Sequence, residues 1–198
     1  MSRLFKLSAM AALVMAAAPA AQAFEAGDFI LRAGVAHVAP DDSSDSITLG
    51  GNPLLTGADS KVTVDSNTQL GLRGTYMLTS NLGIGLLAST PFEHDINGGG
   101  DISGDVKLGE TKHLPPTLTL QYFPMESSSA LQPYLGIGVN YTIFFEEKTT
   151  GTLDSVIASE YPSIAGANTS LELDDSVGVA VEFGLDYMLN DEFGLNAA

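Results

Sequence analysis

Three histidines, His37, His94 and His113, are the side chains best suited to moving a proton or holding a metal near neutral pH. Ser89 lies shortly before His94, and Glu93 and Asp95 flank that histidine. A serine, a histidine and an acid are the parts of a nucleophilic relay, which could act on an ester such as a lipid's. No fixed motif supports a relay here, and the residues fall at a strand end and in the connection after it. The reading is therefore not an enzyme, with no catalytic residue. Glu93-His94-Asp95 is a weak metal candidate, because three adjacent residues on a loop are poor ligand geometry. The chain has no cysteine, which excludes thiol chemistry and cysteine-bound metal. No metal and no cofactor is expected.

A second set of residues draws attention because it sits inside apolar runs. Arg32, Arg73, Glu182 and Asp186 are charges within otherwise hydrophobic stretches, and Pro115-Pro116 is a proline pair beside one. Their meaning depends on the elements that carry them. From Phe24 onward apolar residues recur at every second position, which is the strand signature. Six full runs appear: Phe29 to Val35, Leu70 to Leu78, Leu82 to Ala88, Leu114 to Tyr122, Leu135 to Phe145 and Val177 to Leu189. A seventh begins at Phe193 and Leu195. The positions between them are a different population, including Gly71, Arg73, Gly85, Thr119, Gln121, Gly136, Asn140, Glu182 and Asp186.

Alternation alone fits a soluble sandwich or a membrane barrel, and the connections separate the two. They span 39–60, 79–81, 91–112, 124–130, 146–175 and 190–191. Long alternating with short is the order of an up-and-down outer-membrane barrel, with long outer loops and short periplasmic turns. Phe29, Tyr76, Tyr122, Tyr187 and Phe193 share the apolar parity and lie at the short-turn ends of their strands. Tyr141 and Phe145 lie on the same face at the opposite end of theirs, so the aromatics form two girdles.

The first 23 residues read as a secretory signal. Arg3 and Lys6 precede a short apolar stretch, and Ala21-Gln22-Ala23 is a small-x-small site, so cleavage is expected after Ala23 and residues 24–198 form the barrel domain. The signal holds two of the chain's eight Lys and Arg and none of its 24 acids. The remainder is thus more acidic than the whole chain's charge of −16, which argues against nucleic acid as a partner.

Particular stretches are also familiar. Residues 67–77 read N-T-Q-L-G-L-R-G-T-Y-M, 113–122 read H-L-P-P-T-L-T-L-Q-Y, and 133–145 read P-Y-L-G-I-G-V-N-Y-T-I-F-F. With 26–34 and 88–94 these resemble the outer membrane protein W (OmpW) family. The resemblance implies an eight-stranded outer-membrane barrel with a narrow apolar upper pocket. It also implies passage of small hydrophobic molecules from outside into the membrane through a gap in the wall, and some relatives accompany alkane use.

In that frame Arg32, Arg73, Glu182 and Asp186 point into the lumen and are expected to pair, closing its lower end, because unpaired buried charge is costly. Ala36, Val38, Leu87, Thr117 and Phe144 line the outer half as an apolar pocket. Pro115 and Pro116 lack N–H donors and unzip their strand from a neighbour, which marks a lateral opening. The partners expected are membrane lipid, small hydrophobic solutes and the outer-membrane assembly machinery, with the oligomeric state open. The alternative is a closed structural or adhesive barrel whose acidic outer loops bind partners. The seventh strand is short and lipid tolerates no open strand edge, so the natural protein is expected to continue for roughly 30–40 residues beyond Ala198.

Overall fold

Stretches with an apolar residue at every second position form strands, because the pleat sends alternate side chains to opposite faces. The computed structural model describes residues 11–13, 24–41, 48–49, 52–53, 60–100, 106–164 and 169–198. In chain order its strands are β1 (Ala11–Leu13), β2 (Phe29–Val38), β3 (Thr48–Leu49), β4 (Asn52–Pro53), β5 (Ser60–Val64), β6 (Asn67–Met77) and β7 (Leu82–Ser89). They continue with β8 (Phe92–Gly100), β9 (Lys107–Leu114), β10 (Thr117–Tyr122), β11 (Leu131–Thr149), β12 (Ser176–Met188) and β13 (Gly194–Ala197). A helix, α1 (Gly151–Glu160), and a 3-10 turn, Pro162–Ile164, stand between β11 and β12.

The wall runs β13-β12-β11-β10-β7-β6-β2, and each strand is antiparallel to its neighbours. Five of these answer full runs that the alternation predicts and β13 answers the short seventh, but the fourth run, Leu114 to Tyr122, is split: Leu114 ends β9 and β10 begins only at Thr117, because Pro115 and Pro116 have no N–H to give a ladder. The sheet curls on itself, since Arg32 of β2 bonds Asp186 of β12 although four strands separate them in the sheet order.

Burial is inverted relative to a water-soluble protein. Ile137 is 61% exposed, Phe183 70% and Val179 81%, whereas inward-facing Gln121 is 0% and Arg32 3%. A soluble sandwich would bury the first group. Here the apolar face looks outward to lipid, as a membrane barrel requires. Phe29, Tyr76, Tyr122, Tyr187 and Tyr141 are all exposed on that face.

The segment 91–112, read from sequence as a connection, is instead a hairpin of β8 and β9. It joins β5 on one side and the outward extension of β11 on the other. The reason it escapes an apolar-alternation reading is physical. Above the bilayer the outward face meets water, so β8 places Phe92 and His94 inward and Glu93 outward, where Glu93 faces Lys112. Helix α1 within 146–175 was likewise unread.

The N-terminal strand β1 pairs with β13, Ala11 opposite Ala197 and Leu13 opposite Leu195. It belongs to the segment expected to be removed, and the cleavage point after Ala23 lies outside the described residues.

Candidate functional site

The lumen is built in layers, and the lowest is apolar. Phe24, Met77, Phe123 and Tyr134 are each at most 1% exposed and pack together. The Phe24 and Phe123 rings lie 5.3 Å apart and those of Phe123 and Tyr134 5.2 Å apart. Phe24 holds a left-handed φ of 76°, unusual for a residue with a Cβ, and its burial over-determines that conformation. The chain just after it is tied down by Gly27 N–H donating to the Met77 carbonyl at 2.8 Å.

Above this floor lies a closed circuit of polar groups. Arg32 donates through Nε to Asp186 Oδ1 at 2.9 Å and through Nη2 to Oδ2 at 2.7 Å. Its Nη1 donates to Thr75 Oγ1 at 2.7 Å, and Thr75 donates to Gln121 Oε1 at 2.9 Å. Gln121 Nε2 donates to Glu182 at 2.5 Å, and Glu182 faces Arg73 at 3.1 Å. Arg73 donates to the Tyr134 hydroxyl at 2.5 Å, and Asn196 Nδ2 reaches both that hydroxyl, at 3.2 Å, and Asp186, at 2.8 Å. Thus the four charges named from sequence stand as two pairs, Arg32 with Asp186 and Arg73 with Glu182. Both guanidinium groups also lie over the Tyr134 ring, 5.1 and 5.9 Å from its centre. The circuit needs space that glycines supply. A Cβ at Gly136 would stand 2.5 Å from Glu182 Cγ, and one at Gly184 would collide with the Tyr134 ring.

Beside the circuit a cavity of about 250 Å³ lies along the edge of β2, between it, β6, β7 and the end of β13, and residues of both faces of β2 line it. Ala36, Gly71 and Leu87 line its outer part, and Arg32, Arg73 and Asn196 its floor. Of the five residues assigned to an apolar pocket from sequence, Ala36 and Leu87 meet here. Val38, Thr117 and Phe144 do not line this cavity. Thr117 instead donates to the Pro115 carbonyl at 3.1 Å, and Phe144 stands further out.

Pro115 and Pro116 separate β9 from β10, and the break they make is one-sided. Toward β11 the pairing survives through carbonyls: Tyr141 N–H donates to Pro116 at 3.0 Å, and Asn140 Nδ2 reaches Pro115 at 3.1 Å and Pro116 at 3.3 Å. Toward β7 it fails. The β7–β10 ladder ends at Leu87 opposite Thr117, and β8–β9 pairing begins only at Phe92 opposite His113. The stretch between, 88–91 against 114–116, has no ladder.

Immediately outside the break stands a group of flat rings that sequence reasoning did not assemble. His94 stacks on His113 with ring centres 4.8 Å apart and planes 7° apart, and Phe92 lies 5.4 Å from His113 at 21°. Phe144 leans on His113 at 5.7 Å. His94 Nδ1 faces the Asp65 carbonyl at 2.5 Å. Glu93 and His94 point to opposite faces of β8, so Glu93-His94-Asp95 does not converge on one ion. Among the described residues no group of three or more His, Cys, Asp or Glu side chains is arranged to hold a metal. The signal that could have found the rings is the inverted alternation of 92–95, aromatic inward and acidic outward.

The model of the OmpW family matches residues 25–198. The chain is 45% identical over 188 residues to outer membrane protein W of Vibrio cholerae, covering 93% of this chain and 78% of that protein. It is 40% identical over 174 residues to the protein of the same name from Escherichia coli, covering 88% and 72%. The crystal structure of the outer membrane protein OprG from Pseudomonas aeruginosa superposes with a TM-score of 0.72 at 47% identity, covering 86% of this chain and 75% of that one. The chain belongs to the OmpW family and is a β-barrel of the outer membrane.

Proposed function

We propose that this barrel takes small hydrophobic molecules in from the outer face and releases them sideways into the membrane through the break at Pro115 and Pro116. The observation that carries the reading is the vertical order of the lumen. Its floor is an aromatic plug under a complete hydrogen-bonded circuit, so a solute in the cavity beside it has no route to the periplasm. The β7–β10 ladder stops at Leu87 opposite Thr117, and Leu87 lines the outer part of that cavity. Apolar lining at Ala36 and Leu87 suits an alkyl or aryl group.

The closed structural barrel needs a lumen filled throughout. What favours the channel over it is that the paired charges stop below Leu87. The test is replacement of both prolines by valine, which restores two donors to the strand. Protein-dependent uptake of a labelled apolar solute into cells should fall, while barrel folding is retained. Unchanged uptake with a fully paired strand would reject the lateral exit.

A further inference from the structure

The break is bracketed by two buried polar atoms that have no partner among the described residues. Ser89, the last residue of β7, has a buried Oγ with no hydrogen bond. His94, beyond the break on β8, is 2% exposed, and its Nε2 is buried with no hydrogen bond. Buried polar atoms are nearly always paired, so each such exception calls for an explanation. Two of them flanking one gap in a membrane wall share one.

The chemistry of the histidine narrows that explanation. Its Nδ1 faces the backbone carbonyl of Asp65, which can only accept, so Nδ1 carries the proton. In the tautomer with a single ring proton Nε2 is then an acceptor, and only a donor satisfies it. The Ser89 hydroxyl both donates and accepts. A hydrocarbon offers neither group anything. An ether or ester can accept from Ser89 but leaves His94 Nε2 without a donor. An uncharged apolar molecule with one O–H can donate to His94 or Ser89 while its tail lies along the rings of Phe92, His113 and Phe144.

We propose that Ser89 and His94 form a polar checkpoint at the lateral opening, selecting apolar solutes that carry a hydrogen-bond donor, long-chain alcohols and phenols, over plain hydrocarbons and ethers. This rests on the channel reading above and names its substrate class.

Uptake of labelled dodecan-1-ol, its methyl ether and dodecane into cells with and without the full chain tests it. The ether keeps the oxygen and the tail and lacks only the donor. The protein-dependent rate for the alcohol should exceed that for the ether by roughly two- to tenfold, the factor one net hydrogen bond supplies. The alcohol-to-ether ratio should fall toward one in His94→Phe, which keeps a flat ring and removes the acceptor, and fall in part in Ser89→Ala. Folding of each variant is checked by its heat-dependent gel mobility. Ser89→Ala, the smaller change, keeps the test alive if His94→Phe does not fold. Passage of all three solutes at a ratio near one, or a ratio that neither variant alters, overturns the checkpoint and leaves the channel standing. Protein-dependent uptake of none of them overturns the channel itself, and the checkpoint with it.

Discussion

Asp186→Asn keeps the volume of the side chain and removes its charge beside the cavity. Arg32 and Asp186 are sealed from water, with side chains 3% and 6% exposed, so the solvent screening that makes surface pairs nearly worthless does not apply. Arg32 gives this carboxylate two hydrogen bonds, of 2.9 and 2.7 Å, and each charge-assisted bond of this kind contributes about 1.5–3 kcal/mol. Asparagine keeps one acceptor oxygen, and Thr75 keeps its bond to Nη1, so the loss should sit near about 3 kcal/mol, the low end for stripping a buried charge of its partner. The paired change Arg32→Met with Asp186→Leu removes both charges, and it should cost within about 1 kcal/mol of nothing. The assay is a urea titration of folding into lipid vesicles, read by gel mobility because the chain has no tryptophan. A cost under about 1 kcal/mol for Asp186→Asn, or a double variant no better than the single one, would show that the circuit is not the low-dielectric network described.

Ile137 stands on the lipid face of β11, opposite Leu120 and Val181, so Ile137→Arg should cost about 2–4 kcal/mol in the same titration, and a cost near zero would displace it from mid-membrane depth. In the water-exposed outer sheet, hydrogen bonds from Lys107 and then Lys148 hold the Glu110 carboxyl below its ordinary 4.5, and Lys112 does the same for Glu146. A depressed carboxyl stabilises the folded sheet above the ordinary value, and that contribution is lost as pH falls through the folded one. Protease resistance of the β8–β9 hairpin should therefore be flat from pH 7 to pH 5 and decline only in more acidic buffer, whereas a decline between pH 7 and 5.5 would implicate a histidine instead.

The wall was legible in the sequence because lipid imposes a rule that every spanning strand obeys. Outward positions such as Leu118, Ile137 and Val179 must be apolar whatever lies inside, so parity, strand order and the inward set of Arg32, Arg73, Glu182 and Asp186 could be read directly. Above the bilayer the rule lapses. Glu93 and Lys112 face water there, and β8 and β9 read as a loop although they pair over most of their length. The site suffered the same limit. Its proline break was visible as two missing donors, but which neighbour it released depends on pairing that only the fold shows. The stacking of His94 on His113 joins two strands of that unread hairpin. Tyr134 was hidden differently: its parity is inward, yet its place as the hub between Arg73 and Asn196 depends on the room left at Gly184.

The polar circuit also bears on how the molecule comes to be made. Its members come from β2, β6, β10, β11, β12 and β13, so it includes the strands at both ends of the described sheet path. It cannot be completed while the two ends of the sheet are apart, and a register slip of one residue on any contributing strand would turn that member out into lipid. The circuit would thus weigh against misassembly: partly inserted or misaligned barrels would carry the penalty of stranded guanidinium and carboxylate groups, and only the correctly threaded one would be relieved of it. Strand insertion and sealing of the lumen would then be separate kinetic events, with sealing last.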